Sequence, residues 1–190
     1  MGVALDLDSD LAGLADARSK ARQARSAFQA FVGADQEKVD SIVRAMADAG
    51  TAAAQELARM AVDETGIGVY EDKILKNLYN TKFVAASMLP LRTVGVLWVD
   101  EANRMTAVGS PMGVIAAIIP VTNPTSTVLF KCLAAVKSGN AIVCAPHPRA
   151  VRSCMRAAEI MAEAGYVQTR KAALPPSCVA KTAAFFERRN

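Results

Sequence analysis

The first part of the chain has apolar residues at the spacing of α-helices. In residues 11–32, Ala-rich positions alternate with Arg and Lys, and Phe28 and Phe31 share one helical face. Gly33 follows, and glycine commonly ends a helix. The pattern predicts an amphipathic helix that ends at Gly33.

Two further helices are predicted before the pattern changes. Asp35 can cap a helix whose apolar positions continue past Gly50 to Val62, and the glycines of residues 66–68 break it. Residues 71–88 form another helical stretch. Its expected buried side is Ile74, Leu75, Leu78 and Phe83.

From residue 94 onward the spacing becomes that of β-strands alternating with helices. Two short apolar runs flank a polar turn in residues 94–108, which predicts a hairpin. The continuous apolar run that follows is typical of a strand covered on both faces. Strand, helix, strand and helix in succession predict an α/β fold with a parallel βαβα unit. These elements are expected at residues 113–119, 124–138, 141–145 and 149–164.

Composition favours a folded domain and disfavours several functional classes. The 190 residues are 52% hydrophobic and 21% charged, as in globular proteins. The net charge is +4, but the basic residues are spread out, so nucleic-acid binding is not expected. No apolar run approaches the ~20 residues that span a bilayer. Residues 1–10 do not resemble a signal peptide, so we expect a cytoplasmic protein without membrane contact.

The cysteine and histidine content predicts no metal site. No cysteine pair has C-x-x-C spacing, and the chain has a single histidine, His147. A nucleophilic pair of Cys144 and His147 is disfavoured because Cys144 falls within a predicted buried strand. The cysteines, expected to be reduced, are Cys132, Cys144, Cys154 and Cys178.

The loop after the first parallel strand is the leading candidate for chemistry. Ligands of open parallel sheets bind beyond the carboxyl ends of the strands. Here Asn123 precedes Pro124, the pattern of an N-cap followed by proline at the first helical position. The free helix amides and the Asn123 amide could stabilise an oxyanion. Alternatively, Asn123 only caps the helix.

A second loop, residues 145–148, follows the next strand at the same sheet edge. It contains His147, which from the residues alone is more typical of a surface or packing position than of a catalytic one. The chain has neither a G-x-G-x-x-G dinucleotide fingerprint after a strand nor a P-loop. A nucleotide site is therefore not predicted by these motifs.

Two longer segments resemble a known family. The stretch SPMGVIAAIIPVTNPTST of residues 110–127 and the stretch KSGNAIVCAPHP of residues 137–148 resemble CoA-acylating aldehyde dehydrogenases. The similarity extends upstream through the motifs ETG of residues 64–66 and DKILKN of residues 72–77, and runs to about Gly165. The group includes acetaldehyde, propionaldehyde and sulfoacetaldehyde dehydrogenases and the aldehyde half of bifunctional aldehyde-alcohol dehydrogenases.

The resemblance implies a Rossmann-like domain that binds NAD or NADP without the glycine fingerprint. It also implies an oxidoreductase that converts an aldehyde to an acyl-CoA, with coenzyme A as co-substrate. Asn123 would stabilise the thiohemiacetal oxyanion, and the hairpin would take part in subunit association. The cofactor residues would be Ile119, Pro120, Val121 and Thr122 on the nicotinamide side, and Pro146, His147 and Pro148 near the adenosine ribose.

One departure from the family bears on activity. The family's catalytic cysteine lies in a later domain, so we expect residues 11–165 to be part of the cofactor domain and residues 166–190 to be a divergent basic tail. A first hypothesis is a truncated enzyme that is inactive alone. A second is a non-catalytic module that binds nucleotide or associates with itself or a full-length relative. A third is a degraded reading frame without a stable product.

Overall fold

The computed structural model describes residues 9–171, in which helices precede a hairpin and a β-α-β-α unit. This order confirms the predicted α/β fold class. The helices and strands are α1 (Ser9–Phe31), α2 (Gln36–Ala52), α3 (Ala54–Thr65), α4 (Tyr70–Leu78), a π-helical turn (Tyr79–Val84), α5 (Ala85–Met88), β1 (Gly95–Asp100), β2 (Met105–Gly109), β3 (Val114–Ile119), α6 (Pro124–Lys137), β4 (Ala141–Pro146), a 3-10 turn (Pro148–Ala150) and α7 (Val151–Lys171).

Helix α2 begins where its sequence predicts and ends earlier. The Asp35 carboxylate accepts a hydrogen bond from the Lys38 backbone amide at 2.8 Å, which confirms the N-cap. The expected single helix to Val62 is wrong, because Ala53 leaves helical geometry (φ −89°, ψ 4°) and separates α2 from α3. Neither glycine nor proline stands at this break. Gly66, in the left-handed conformation (φ 66°), then ends α3 as expected.

The predicted buried side of residues 71–88 is wrong at two of its four positions, while Ile74 and Leu78 are partly buried. Leu75 is 64% exposed and Phe83 is 68% exposed. The core-facing positions are instead Lys73, Asn77, Thr81 and Ala85, which recur every four residues.

The π-helical turn packs closely against α2. A Cβ atom at Gly50 would lie 2.8 Å from Thr81 Cγ2, so only glycine allows this approach. The Thr81 hydroxyl also makes a 2.9 Å hydrogen bond with the Thr51 hydroxyl. These contacts fix the helical segment that faces the candidate site.

Strands β3 and β4 pair in parallel and form the base of the site, and β1 and β2 pair antiparallel as a separate hairpin. Helices α6 and α7 pack with α2 in the main core on one side of the parallel pair. On the other side, Ala24 and Phe28 of α1 cover Ala141 and Val143 of β4. Strand β4 is thus covered on both faces.

Strand β3 is covered on one face only, which corrects the expectation for this run. Ala117 and Ile119 are buried, whereas Ile118 is 77% exposed and Val114 37% exposed. Helix α1 lies over β4 and leaves this side of β3 open. The last predicted helix extends to Lys171, and Cys178 and the rest of the predicted tail lie outside the described residues.

Candidate functional site

The carboxyl ends of β3 and β4 bring the two candidate loops together. The His147 backbone amide donates a 3.0 Å hydrogen bond to the Ile119 carbonyl, just beyond the last strand residue of β4. The loop before Asn123 and the loop around His147 therefore lie side by side, as expected for parallel strands.

Asn123 occupies the N-cap position of α6, but its side chain does not cap the helix. Its backbone has φ −139° and ψ 62°, and Pro124 is the first helical residue. Within residues 9–171, the backbone amides of Thr125 and Ser126 donate no hydrogen bond. The α6 N-terminus is therefore open, and the capping explanation does not describe this side chain.

The Asn123 side chain is held from outside its own helix. Lys76 Nζ donates to Asn123 Oδ1 at 3.1 Å. Asn123 is partly exposed, and its Nδ2 has no hydrogen-bond partner among the described residues. No buried side-chain nitrogen or oxygen in this part of the chain lacks a partner, so Nδ2 is open to solvent.

The hydrogen bond between Lys76 and Asn123 is one of a row of polar contacts. They attach α4 and the π-helical turn to the loop after β3 and to the first turn of α6. We call Lys73, Lys76, Asn77 and Asn80 the α4 clasp. The sequence interpretation missed this row, although the four-residue interval between Lys73, Asn77 and Thr81 was visible. The contacts are Lys73 Nζ to Thr122 O at 2.5 Å, Lys76 Nζ to Asn123 Oδ1 at 3.1 Å, Thr125 Oγ1 to Asn77 Oδ1 at 3.0 Å and Asn80 Nδ2 to Ser126 O at 2.9 Å.

The α4 clasp brings two ammonium groups to one side of the site. Lys73 is 4% exposed, and burial together with the nearby charge of Lys76 lowers the pKa of Lys73. The positive potential of two lysines and an open helix N-terminus favours an anion or a developing oxyanion here.

An open depression of about 340 Å³ lies next to Lys76. Its walls combine exposed apolar side chains of the α4 segment with polar groups of the α4 clasp and of α6. The lining residues are Leu75, Lys76, Tyr79, Asn80 and Ser126.

On the β4 side of the site, side chains already bind the free backbone amides. His147 Nδ1 accepts a 3.1 Å hydrogen bond from the Arg149 amide, so the imidazole caps the 3-10 turn. The two oxygens of Glu64 accept from the Arg152 and Ser153 amides, each at 2.7 Å. A side chain of α3 thus occupies the N-terminus of α7.

The remaining predicted cofactor residues differ in accessibility. Ile119 and Pro146 are buried, so their side chains support the loops from below. The cofactor residues that are exposed or partly exposed are Pro120, Val121, Thr122, His147 and Pro148.

All three described cysteines are buried and inaccessible to an aldehyde, although a hydrogen bond with Cys132 and the charge of Lys131 lower the pKa of Cys144. Cys144 and Cys154 are fully buried and Cys132 is 4% exposed. A hydrogen bond with Cys144 and burial raise the pKa of the Cys132 thiol, and burial, Cys144 and Glu64 raise that of Cys154 to about 12.

Residues 9–171 show neither a candidate metal site nor a candidate membrane span. They contain no group of three His, Cys, Asp or Glu side chains that could hold a metal ion. Their helices also include none whose length and apolar character would allow it to cross a bilayer.

The chain is similar to known proteins over most of its length. A sequence model of the aldehyde dehydrogenase family matches residues 8–170. The bifunctional aldehyde-alcohol dehydrogenase AdhE of Escherichia coli is 38% identical over 151 residues, which are 80% of this chain and 17% of the relative. The acylating sulfoacetaldehyde dehydrogenase of Cupriavidus necator is 41% identical over 134 residues, 70% of this chain and 27% of that protein.

Among solved structures, too, the chain is similar to aldehyde dehydrogenases. An acetylating aldehyde dehydrogenase from Geobacillus thermoglucosidasius is similar with a TM-score of 0.87 and 40% identity. The similarity covers 96% of this chain and 39% of that chain. The chain therefore spans well under half the length of these relatives.

Proposed function

Because the chain belongs to the aldehyde dehydrogenase family, we propose that residues 11–165 form part of the NAD(P)-binding domain of a CoA-acylating member. The boundary proposed at residue 165 lies within α7, which continues to Lys171, and the family match also extends to residue 170. Relatives named acylating and acetylating support this branch. The proposed reaction is oxidation of an aldehyde to an acyl-CoA, in which coenzyme A accepts the acyl group. The buried reduced thiols suit a cytoplasmic location.

The observation that carries the proposal is the free amide of Asn123 beside the open N-terminus of α6. Attack of a thiolate on an aldehyde places negative charge on the carbonyl oxygen. The Asn123 Nδ2 group donates no other hydrogen bond within residues 9–171 and is available to that oxygen. Donors placed in advance lower the barrier for forming the oxyanion. Asn123 is the catalytic residue that we assign to this chain.

The two adjacent loops fit a dinucleotide laid across the sheet edge. We assign Ile119, Pro120, Val121 and Thr122 to the nicotinamide side, and Pro146, His147 and Pro148 to the adenosine ribose. Bound NAD or NADP would accept the hydride in the family reaction. The hydrogen bond between His147 and Ile119 supports the assignment because it keeps both loops at one edge. Glu64 already occupies the α7 N-terminus, so that helix is not offered to the cofactor's pyrophosphate.

The depression beside Lys76 is the proposed place for the aldehyde's carbon chain. It adjoins Asn123 through Lys76, and the side chains of Leu75 and Tyr79 supply apolar walls. Burial of Cys132, Cys144 and Cys154 leaves none of them available to attack the aldehyde. We therefore assign the nucleophile to a cysteine of the family's catalytic domain, and expect no turnover by these residues alone.

Titration calorimetry of NAD, NADP and coenzyme A into the purified chain tests this function. A parallel assay follows absorbance of the reduced cofactor after an aldehyde is added. We expect nucleotide binding without aldehyde-dependent reduction. Failure of both NAD and NADP to bind contradicts the cofactor assignment, and turnover contradicts the assignment of the nucleophile.

The hairpin favours a second candidate, a non-catalytic association module. Five large apolar side chains on its strands are each about half exposed or more, which is more than a free surface usually carries in one place. A second copy, or a full-length relative, would cover it. The exposed side chains are Val96 (45%), Trp98 (54%), Val99 (53%), Met105 (49%) and Val108 (61%).

Light scattering after size exclusion tests the association. Trp98→Lys should convert an oligomer into a monomer, because the charge would lie inside the contact. Val69→Lys, which changes an exposed valine directly before α4, is the control and should leave the oligomer intact. A monomeric unmodified chain that also fails to co-purify with a full-length relative would exclude this candidate.

A further inference from the structure

We propose that Lys76 is a positioning residue that keeps the Asn123 side chain turned away from α6, with its N–H groups directed to the open side of the site. This inference rests on the proposed role of Asn123 as the oxyanion donor. It adds a residue from α4, remote in sequence from the loop, to the machinery of the reaction. The physical basis is a competition between two partners for Asn123 Oδ1.

The chemistry of the contact fixes the orientation of the amide. An ammonium group has donors and no acceptor, so the atom of Asn123 that faces Lys76 Nζ at 3.1 Å must be Oδ1. The Nδ2 group then points away from Lys76. A positive donor on Oδ1 also polarises the amide and makes its N–H groups stronger donors.

The alternative partner lies within the same helix. Asparagine at an N-cap normally accepts from the second or third helical amide, here those of Thr125 and Ser126. Both amides lack a partner within residues 9–171, so this cap is available and unused. If Asn123 formed it, Oδ1 would turn inward and one amide of the open terminus would be occupied. Lys76 holds the side chain out of that arrangement.

The role of Lys76 can be tested by itself, because the other residues of the α4 clasp make their own contacts with the loop and with α6. Lys73 holds the loop backbone through the Thr122 carbonyl, and Asn80 holds the first turn of α6 through the Ser126 carbonyl. Removing Lys76 therefore leaves the loop attached and frees only the Asn123 side chain. Lys76 forms no ion pair with a carboxylate in the described part of the chain. Its loss therefore breaks no other charge pair.

Nuclear magnetic resonance of the full chain labelled with [15N]asparagine tests the proposal. The chain has six asparagines, and Asn123→Ala identifies the Asn123 side-chain signals by removing them. In Lys76→Met, we expect these signals to shift and rotation about the amide C–N bond to become about threefold to tenfold faster, because a charged donor on Oδ1 no longer reinforces its double-bond character.

A second readout follows the backbone of α6 in uniformly labelled protein. In Lys76→Met, the Thr125 or Ser126 amide should exchange with solvent about tenfold more slowly, because Asn123 now caps the helix. Lys76→Arg keeps a cationic donor and should restore both signatures. Lys82→Met removes an exposed lysine of the π-helical turn that has no contact with Asn123, and should change neither.

Unchanged Asn123 signals and unchanged exchange in Lys76→Met would overturn the role of Lys76. If that variant does not fold, Lys76→Gln replaces it, since a glutamine amide can donate or accept and does not fix one orientation. Both readouts are made without nucleotide. A chain that binds neither NAD nor NADP would therefore contradict the proposed function, while the contact between Lys76 and Asn123 would be judged on the resonance data.

Discussion

The two helices that follow the parallel strands differ at their N-termini. The backbone amides are unpaired in one helix and are bound by a carboxylate in the other. After β3, the N-terminus of α6 is open, because the Asn123 side chain is drawn to Lys76. After β4, the N-terminus of α7 is closed, because the Glu64 carboxylate accepts from two of its amides. In both cases the deciding side chain comes from an earlier helix. Equivalent positions in a fold can thus differ in function because of one remote residue.

The charges of the deciding residues explain the difference. A carboxylate near a helix N-terminus is favourable, so Glu64 satisfies the α7 amides and excludes other anions. An ammonium group cannot accept a hydrogen bond from a backbone N–H, and Lys76 instead binds the Asn123 side chain that could cap α6 and adds positive charge beside it. The first junction contributes stability and the second remains available for chemistry.

The largest expected effect concerns Cys154 at the closed junction. Its pKa is about 12 against an ordinary value of 9.0, chiefly because it is buried, with Cys144 and Glu64 adding to the shift. Below pH 9 the folded and unfolded chains both keep the proton. Above it only the unfolded chain loses the proton, so the free energy of unfolding falls by about 1.4 kcal/mol per pH unit, or roughly 4 kcal/mol by pH 12.

Urea unfolding at a series of pH values checks this expectation. The slope above pH 9 should be smaller in Cys154→Ala by close to one proton, whatever the variant's stability at neutral pH. Equal slopes in the two proteins would mean that the thiol ionises in the folded state.

Removing the closing carboxylate should have a smaller effect. Glu64→Ala leaves the Arg152 and Ser153 amides without their partner and should lower the free energy of unfolding by about 2 kcal/mol. Glu64→Gln keeps one acceptor and loses the charge, so about half of that loss is expected. The measurement is urea unfolding followed by circular dichroism. If both variants equal the parent, water satisfies the α7 amides equally well.

The open junction should give the smallest change in stability. Asn123→Ala is expected to alter the free energy of unfolding by less than about 0.5 kcal/mol, because the side chain caps nothing. The matched control is Asp35→Ala, which removes a genuine N-cap and should cost about 1 kcal/mol. A cost at Asn123 as large as that at Asp35 would show that the two junctions do not differ in this respect.

Most of the architecture could be predicted from the sequence, because hydrophobic period, glycine breaks and helix caps are local signals. Period, glycine breaks and the Asp35 cap located the first helix, the hairpin and the β-α-β-α order. The break at Ala53 was not predictable in this way, since it has no local breaker and Asn77, from another helix, donates to the carbonyl of the next residue, Ala54.

The errors concern which side of an element is buried. Leu75 and Phe83 were expected inside because they are apolar, yet Lys73 and Asn77 lie inside because each finds a hydrogen-bond partner. Burial of polar groups depends on partners far away in sequence, which periodicity does not report. Within the site, Asn123 could be singled out from its place before Pro124, whereas its contact with Lys76 could not.

The π-helical turn explains how the buried row of α4 reaches Ala85 without leaving the core. In an α-helix, residues four apart drift around the axis by roughly 40° per interval. The wider turn of residues 79–84 holds the equivalent of an inserted residue and rotates the chain back. Deleting one residue there would shift everything after it by about 100°. The π-helical turn thus compensates for the rotational drift, and the buried position of Ala85, which follows the turn, depends on it.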